Sequence, residues 1–169
     1  MKVLVAYLSQ TGNTKKVAEA IFETIQAMKE IRPLADVASL EGYHLAFVGF
    51  PLHGGQPAEE ARVFLERHSK GKSIALFVTH AAPEGWPGVE ECLDRCRAAA
   101  VDANVLGVFD CQGELSEEIA DFMLKSGDPE LVGAARRRSE TIGLPDATRL
   151  DLARAWTGEI LAEYASRAV

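Results

Sequence analysis

Short, nearly uninterrupted apolar runs alternate along the chain with stretches in which apolar positions recur every three or four residues. Lys2–Leu8, Leu45–Phe50, Ile74–Val78 and Val105–Phe109 are of strand length and rich in Val, Leu and Phe, the pattern of strands covered on both faces. A fifth segment, Leu34–Val37, is shorter and flanked by polar residues, so it reads as an edge strand. Between these runs Val17, Ile21, Ile25 and Met28 fall at helical spacing, with Ala18 and Phe22 widening the stripe and Asn13 or Thr14 as the cap. Pro57 is placed to open a second helix that buries Ala61, Phe64 and Leu65. A third spans about Val89–Ala100 with Cys92, Leu93 and Cys96 inward, and the last starts near Asp146 and buries Leu150, Ala153, Ile160, Leu161 and Tyr164. Alternation of this kind predicts an α/β fold, a three-layer, doubly wound sheet of five parallel strands.

The segment between Gly113 and Pro145 breaks the alternation. It predicts two short helices, one capped by Ser116 with Glu117 and Glu118 in its first turn, the other opening at Asp128-Pro129 and ending in Arg136-Arg137-Arg138. Negative charge at helix starts and positive charge at a helix end suit the macrodipole, so the arginines read as a solvated helix end, with a docking patch as the alternative. Residues 1–169 are expected to form a single domain carrying 113–145 as a helical extension.

Composition narrows the partners. The 169 residues carry 18 Lys plus Arg against 25 Asp plus Glu, a net charge of −7, so a nucleic-acid partner, which needs a basic surface, is not expected. Apolar stretches such as Ile74–Val78 are far below bilayer length, and the start of the chain lacks a signal-peptide pattern. Cys92, Cys96 and Cys111 form an odd set suited to a reducing compartment. The expectation is therefore a cytoplasmic protein with no membrane association.

The chemistry concentrates in Ser9-Gln10-Thr11-Gly12-Asn13-Thr14, directly between the first strand and the first helix. Three hydroxyls, an amide and a glycine at a helix start can wrap one phosphate with side chains and unpaired backbone N–H groups. The loop contains no Lys or Arg, and Lys15 and Lys16 follow on the helix. A nucleotide-hydrolase phosphate loop and a dinucleotide fingerprint both require glycine spacings that are absent here. A helix cap with no ligand is the plainer alternative.

With Ser9, Thr11, Gly12 and Thr14 matching every fixed position of [ST]-x-T-G-x-T after the first strand, the sequence resembles the flavodoxin family. The resemblance covers residues 1 to about 112 plus the closing helix. It implies strand order 2-1-3-4-5 and flavin mononucleotide (FMN) at the carboxyl ends of the strands. Two further loops would then flank the isoalloxazine ring: Pro51-Leu52-His53-Gly54-Gly55-Gln56-Pro57, and the segment opening Thr79-His80-Ala81 that contains Trp86.

Flavodoxins commonly stack an aromatic from each loop on the flavin, whereas the first loop here has no Trp or Tyr, leaving Leu52 or His53 for that face and Trp86 for the other. The resemblance also implies that a peptide in the Gly54-Gly55 region reverses on one-electron reduction, which glycine makes cheap. A protonated His53 or His80 would attract a reduced, anionic flavin and raise its potential above that of a low-potential shuttle. Cys111 is the one cysteine placed near the site, either as a buried thiol or in redox contact with the flavin.

The resulting expectation is an FMN-binding electron-transfer protein that passes electrons between a reductase and a partner enzyme. Docking would take place at the flavin edge, steered by Glu59, Glu60, Glu84, Glu90, Glu91 and Glu114. The alternatives are an FMN-dependent NAD(P)H reductase of quinones or other small acceptors, and a flavin-free scaffolding or regulatory domain. A flavodoxin-like subunit serving a larger flavin reductase is a close relative of the first two.

Overall fold

The computed structural model describes residues 1–167. Five parallel strands, β1 (Lys2–Tyr7), β2 (Met28–Pro33), β3 (Leu45–His53), β5 (Ser73–His80) and β6 (Asn104–Gln112), follow the order β2-β1-β3-β5-β6. This is the expected 2-1-3-4-5 arrangement, renumbered because a two-residue strand β4 (Gln56–Pro57) pairs antiparallel with the end of β3.

The apolar runs are continuous because both faces of the sheet are covered. On one face Leu4, Ala6, Val48 and Leu76 pack against α2 (Glu59–His68) and α3 (Val89–Ala99). On the other, Val3, Val5, Phe47 and Phe77 pack against α1 (Asn13–Thr24) and α6 (Ala147–Arg167). Successive residues of β1 thus enter opposite cores, as the period-2 geometry of a strand requires. Trp156 of α6 meets Phe47 edge-on with ring centroids 5.7 Å apart and also packs on Phe109, so it belongs to the core.

Several local expectations are corrected. The edge strand is Met28–Pro33, and Leu34–Asp36 forms a 3-10 turn. The edge strand escapes the apolar pattern because it is laced with charge: Lys2 and Arg32 flank the Glu30 carboxylate at 2.7 and 2.5 Å. The first helix stops at Thr24, so Ile25 is buried in the turn and Met28, 69% exposed, begins the strand. Its N-cap is Gly12, with no side-chain cap bond. The second helix starts at Glu59, because Pro57 is occupied in the antiparallel pair with Leu52.

After β6 the chain forms α4 (Glu117–Lys125) and α5 (Pro129–Arg136), a helical hairpin with its own small core of Leu115, Ala120 and Ala135, with Met123 packed against it. Its caps are the expected ones: Ser116 Oγ accepts from the N–H of Ile119, and Asp128 Oδ1 from that of Glu130 at 2.8 Å. Hydrogen bonds close the neck of this insertion. The N–H of Glu114 donates to the carbonyl of Leu144 at 3.1 Å, and the N–H of Gly143 to the Glu114 carboxylate at 2.9 Å. Arg138 is half-buried and donates to the carbonyl of Leu115. It is a clamp in this neck, while Arg136 and Arg137 are exposed as expected of a helix end.

Candidate functional site

The phosphate-type loop lies where β1 gives way to α1, and its side chains divide into those that build the turn and those that face a ligand. Ser9 Oγ accepts from the N–H groups of Gly12 and Lys15. Gly12 sits at φ +94°, a left-handed backbone that glycine adopts without steric cost. With Ser9 and Gly12 holding the turn, the N–H groups of Gln10, Thr11, Asn13 and Thr14 find no acceptor among the described residues. Thr14 is buried, and its hydroxyl meets that of Thr79, at the end of β5, at 2.8 Å. Asn13 Nδ2 donates to the carbonyl of Glu114, tying the loop to the root of the helical hairpin.

This loop forms one end of a cavity of about 600 Å³. Gln10, Thr11, Asn13 and Thr14 line that end, and Pro51, Leu52, His53, Gly54 and Gly55 line one side. Thr79, His80, Ala81 and Trp86 also line it. The structure therefore brings together every residue expected at the site apart from Ser9 and Gly12, which act from behind it.

Gly54 and Gly55 are the two central residues of a tight hairpin between β3 and β4, at φ +58° and +74°. Positive φ at both positions is the type I′ turn, which favours glycine. His53 is exposed. His80 is 8% exposed and bracketed, with Nδ1 at 3.0 Å from the Ala82 carbonyl and Nε2 at 3.0 Å from Asp110 Oδ2. Both ring nitrogens are therefore engaged, one by a backbone carbonyl and the other by a carboxylate.

Trp86 is 45% exposed, lies against Gly88 at the entrance of α3, and still lines the cavity. Its loop is tied to α6 by an ion pair between Glu84 and Arg149 at 2.5 Å. Cys111 is buried and faces the core rather than the cavity. Burial pushes its thiol up to about 12, and the neighbouring Asp110 and Glu84 carboxylates add to the shift, so the redox-contact alternative is not supported.

Other residues at the site were not anticipated. Val89 and Cys92 reach it from α3, and Ile119, Phe122, Met123 and Leu131 reach it from the helical hairpin. The i, i+3, i+4 spacing of Ile119, Phe122 and Met123 was a readable signal for an apolar face, but nothing in the sequence said what that face meets.

The expected acidic rim is largely paired. Glu59 lies 2.6 Å from Arg62, Glu90 3.0 Å from Arg97 and Glu114 3.7 Å from Arg138. Glu91 pairs with Arg95, and Glu84 with Arg149. Glu60 alone of the six forms no ion pair among the described residues, so steering by these carboxylates is weaker than the sequence suggests.

Among the described residues no helix is long and apolar enough to cross a membrane, and no three His, Cys, Asp or Glu side chains are grouped to hold a metal ion.

Comparison with known proteins agrees with this architecture. A curated relative, the flavodoxin-like domain-containing protein BilS of Clostridioides difficile, is 34% identical over 122 residues, 69% of each chain. A flavodoxin from the domain Archaea superposes with a TM-score of 0.58 at 17% identity, covering 98% of this chain and 99% of its own. A flavoprotein of Lactobacillus acidophilus, solved in complex with FMN, superposes with a TM-score of 0.54 at 22% identity, covering 64% and 92%. The family model for the flavodoxin domain matches residues 4–147, and the chain belongs to the flavodoxin family.

Proposed function

We propose that the cavity holds FMN and that the protein carries electrons between a reductase and an acceptor enzyme. The observation that carries this reading is the set of unpartnered N–H groups of Gln10, Thr11, Asn13 and Thr14 at one end of an otherwise largely apolar cavity. Such groups at a helix start suit a phosphate dianion, and a cavity of that lining suits a flat aromatic ring.

Thr11 and Thr14 would hold the phosphate with these amides. Leu52, His53 and Trp86 would contact the ring, while Pro51, Thr79, His80 and Ala81 complete the lining. When bound, FMN supplies one- and two-electron chemistry. The chain's part is to bind it, exclude water and leave an edge open to partners. Three free cysteines fit work in a reducing cytoplasm.

A titration of the purified apoprotein into dilute FMN, followed by flavin fluorescence with riboflavin as the phosphate-free control, tests the reading. Strong quenching by FMN binding with weaker riboflavin binding supports it. Failure to bind either flavin removes it and leaves a scaffolding role. Steady NADH or NADPH consumption by the loaded protein alone would replace the carrier with the reductase.

A further inference from the structure

The hairpin α4–α5 has two apolar sides. One is spent on its own core of Leu115, Ala120 and Ala135. The other carries Ile119, Phe122 and Leu131, which are 50%, 70% and 38% exposed. All three line the same cavity as Thr14, Leu52 and Trp86. Ile119 and Phe122 stand three residues apart on α4, so they share one stripe of the helix.

We propose that this stripe covers one face of the flavin ring, with Phe122 supplying the aromatic contact that the loop after β3 lacks. The proposal rests on the FMN reading above. Its occupant is argued from continuity, because the exposed stripe and the phosphate-type loop are walls of one cavity. The two walls are also bonded at their base through Asn13 Nδ2 and the Glu114 carbonyl at 2.9 Å. A ligand anchored on Thr11 and Thr14 therefore shares its cavity with a hairpin whose position the same loop helps to fix. Phe122 meets the requirement for a large, flat, apolar contact, and Leu52 near the end of β3 does not.

The test is the Phe122→Ala variant, titrated with FMN and with riboflavin beside wild type and Thr11→Ala. Phe122 is exposed, so the variant keeps its circular dichroism and melting temperature. Loss of a ring contact is expected to weaken FMN and riboflavin by the same factor, about 2- to 12-fold. Thr11→Ala is expected to weaken FMN and spare riboflavin. Phe122→Trp should restore affinity and add long-wavelength absorption from stacking on the bound flavin.

Wild-type affinity for both flavins in Phe122→Ala, with an unchanged flavin spectrum, would overturn the proposal and assign the stripe to a protein partner. Failure of the FMN reading looks different, since wild type itself would then bind neither flavin.

Discussion

Arg95 Nη1 donates to the carbonyl oxygen of Gly55 at 3.0 Å, while its other terminal nitrogen pairs with Glu91. The guanidinium thereby pins the Gly55–Gln56 peptide to α3, so a reversal of the kind the flavodoxin resemblance implies is expected at the Gly54–Gly55 peptide. Reversal converts a type I′ turn into type II′, in which the first central residue keeps positive φ and the second moves to negative φ.

Opposite effects are therefore expected from two alanine substitutions. Gly55→Ala strains the turn as it stands and relaxes in the reversed form, so it should raise the first-electron potential of the FMN-loaded protein. Gly54→Ala remains strained in both forms and more so in the reversed one, so it should lower that potential. A left-handed alanine costs about 1–2 kcal/mol, or roughly 40–80 mV for one electron. Arg95→Ala should move the potential by less than about 20 mV, because its bond to Gly55 persists in both turns. A spectroelectrochemical titration of the three variants decides the matter, and a large shift in Arg95→Ala would mean that the pinned peptide is the one that turns.

The buried Thr14–Thr79 hydroxyl pair joins the phosphate-type loop to the sheet. Thr14→Val is expected to leave Thr79 without its partner and to cost about 1–3 kcal/mol of stability. That corresponds to a melting temperature lower by roughly 3–10 °C. FMN affinity should fall more than riboflavin affinity, and equal losses for the two flavins would show that Thr14 acts on the fold alone.

At the opposite end of the sheet, hydrogen bonds from Lys2, then Tyr43 and Arg32, hold the Glu30 carboxyl down to about 2 from an ordinary 4.5. A carboxylate whose affinity for protons is lower in the folded state stabilises it fully above pH 4.5. That contribution is lost as pH falls through about 2. Glu30→Gln should flatten this part of the acid limb. Urea midpoints at pH 6, 4 and 3 should decline more steeply in wild type than in the variant.

With its thiol near 12, Cys111 is about 1 part in 10,000 thiolate at pH 8. It should resist a thiol reagent that reacts rapidly after unfolding, and Cys111→Ser should leave the flavin potentials unchanged. Rapid labelling of Cys111 in the native protein would contradict the burial argument.

The parallel sheet was readable from Leu45–Phe50 and Ile74–Val78 because strands covered on both faces admit few polar residues. The edge strand was not, since Glu30 and Arg32 pair with each other on one side while Lys29 lies over the Phe22 ring on the other, and the nearby Leu34 and Val37 supplied a false signal. Most of the cavity lining was readable from the loop Ser9–Thr14 and from the positions that follow β3 and β5. Phe122 was missed because the loops that share its cavity are distant in sequence. The pairing of Glu84 with Arg149 escaped for the same reason, as no local spacing links the loop after β5 to the last helix.

The hydrogen-bonded neck at Glu114, Gly143 and Leu144 makes the hairpin a cassette whose two ends, one leaving β6 and the other entering α6, meet at one point. Its small core is separate from the two cores that flank the sheet. Residues 115–142 can therefore be exchanged as one contiguous piece without altering a strand or the phosphate-type loop. One such exchange would replace Ile119, Phe122, Met123 and Leu131 in the cavity lining while leaving Thr11, Thr14 and Thr79 in place, so what reaches the flavin can be altered separately from how the flavin is held.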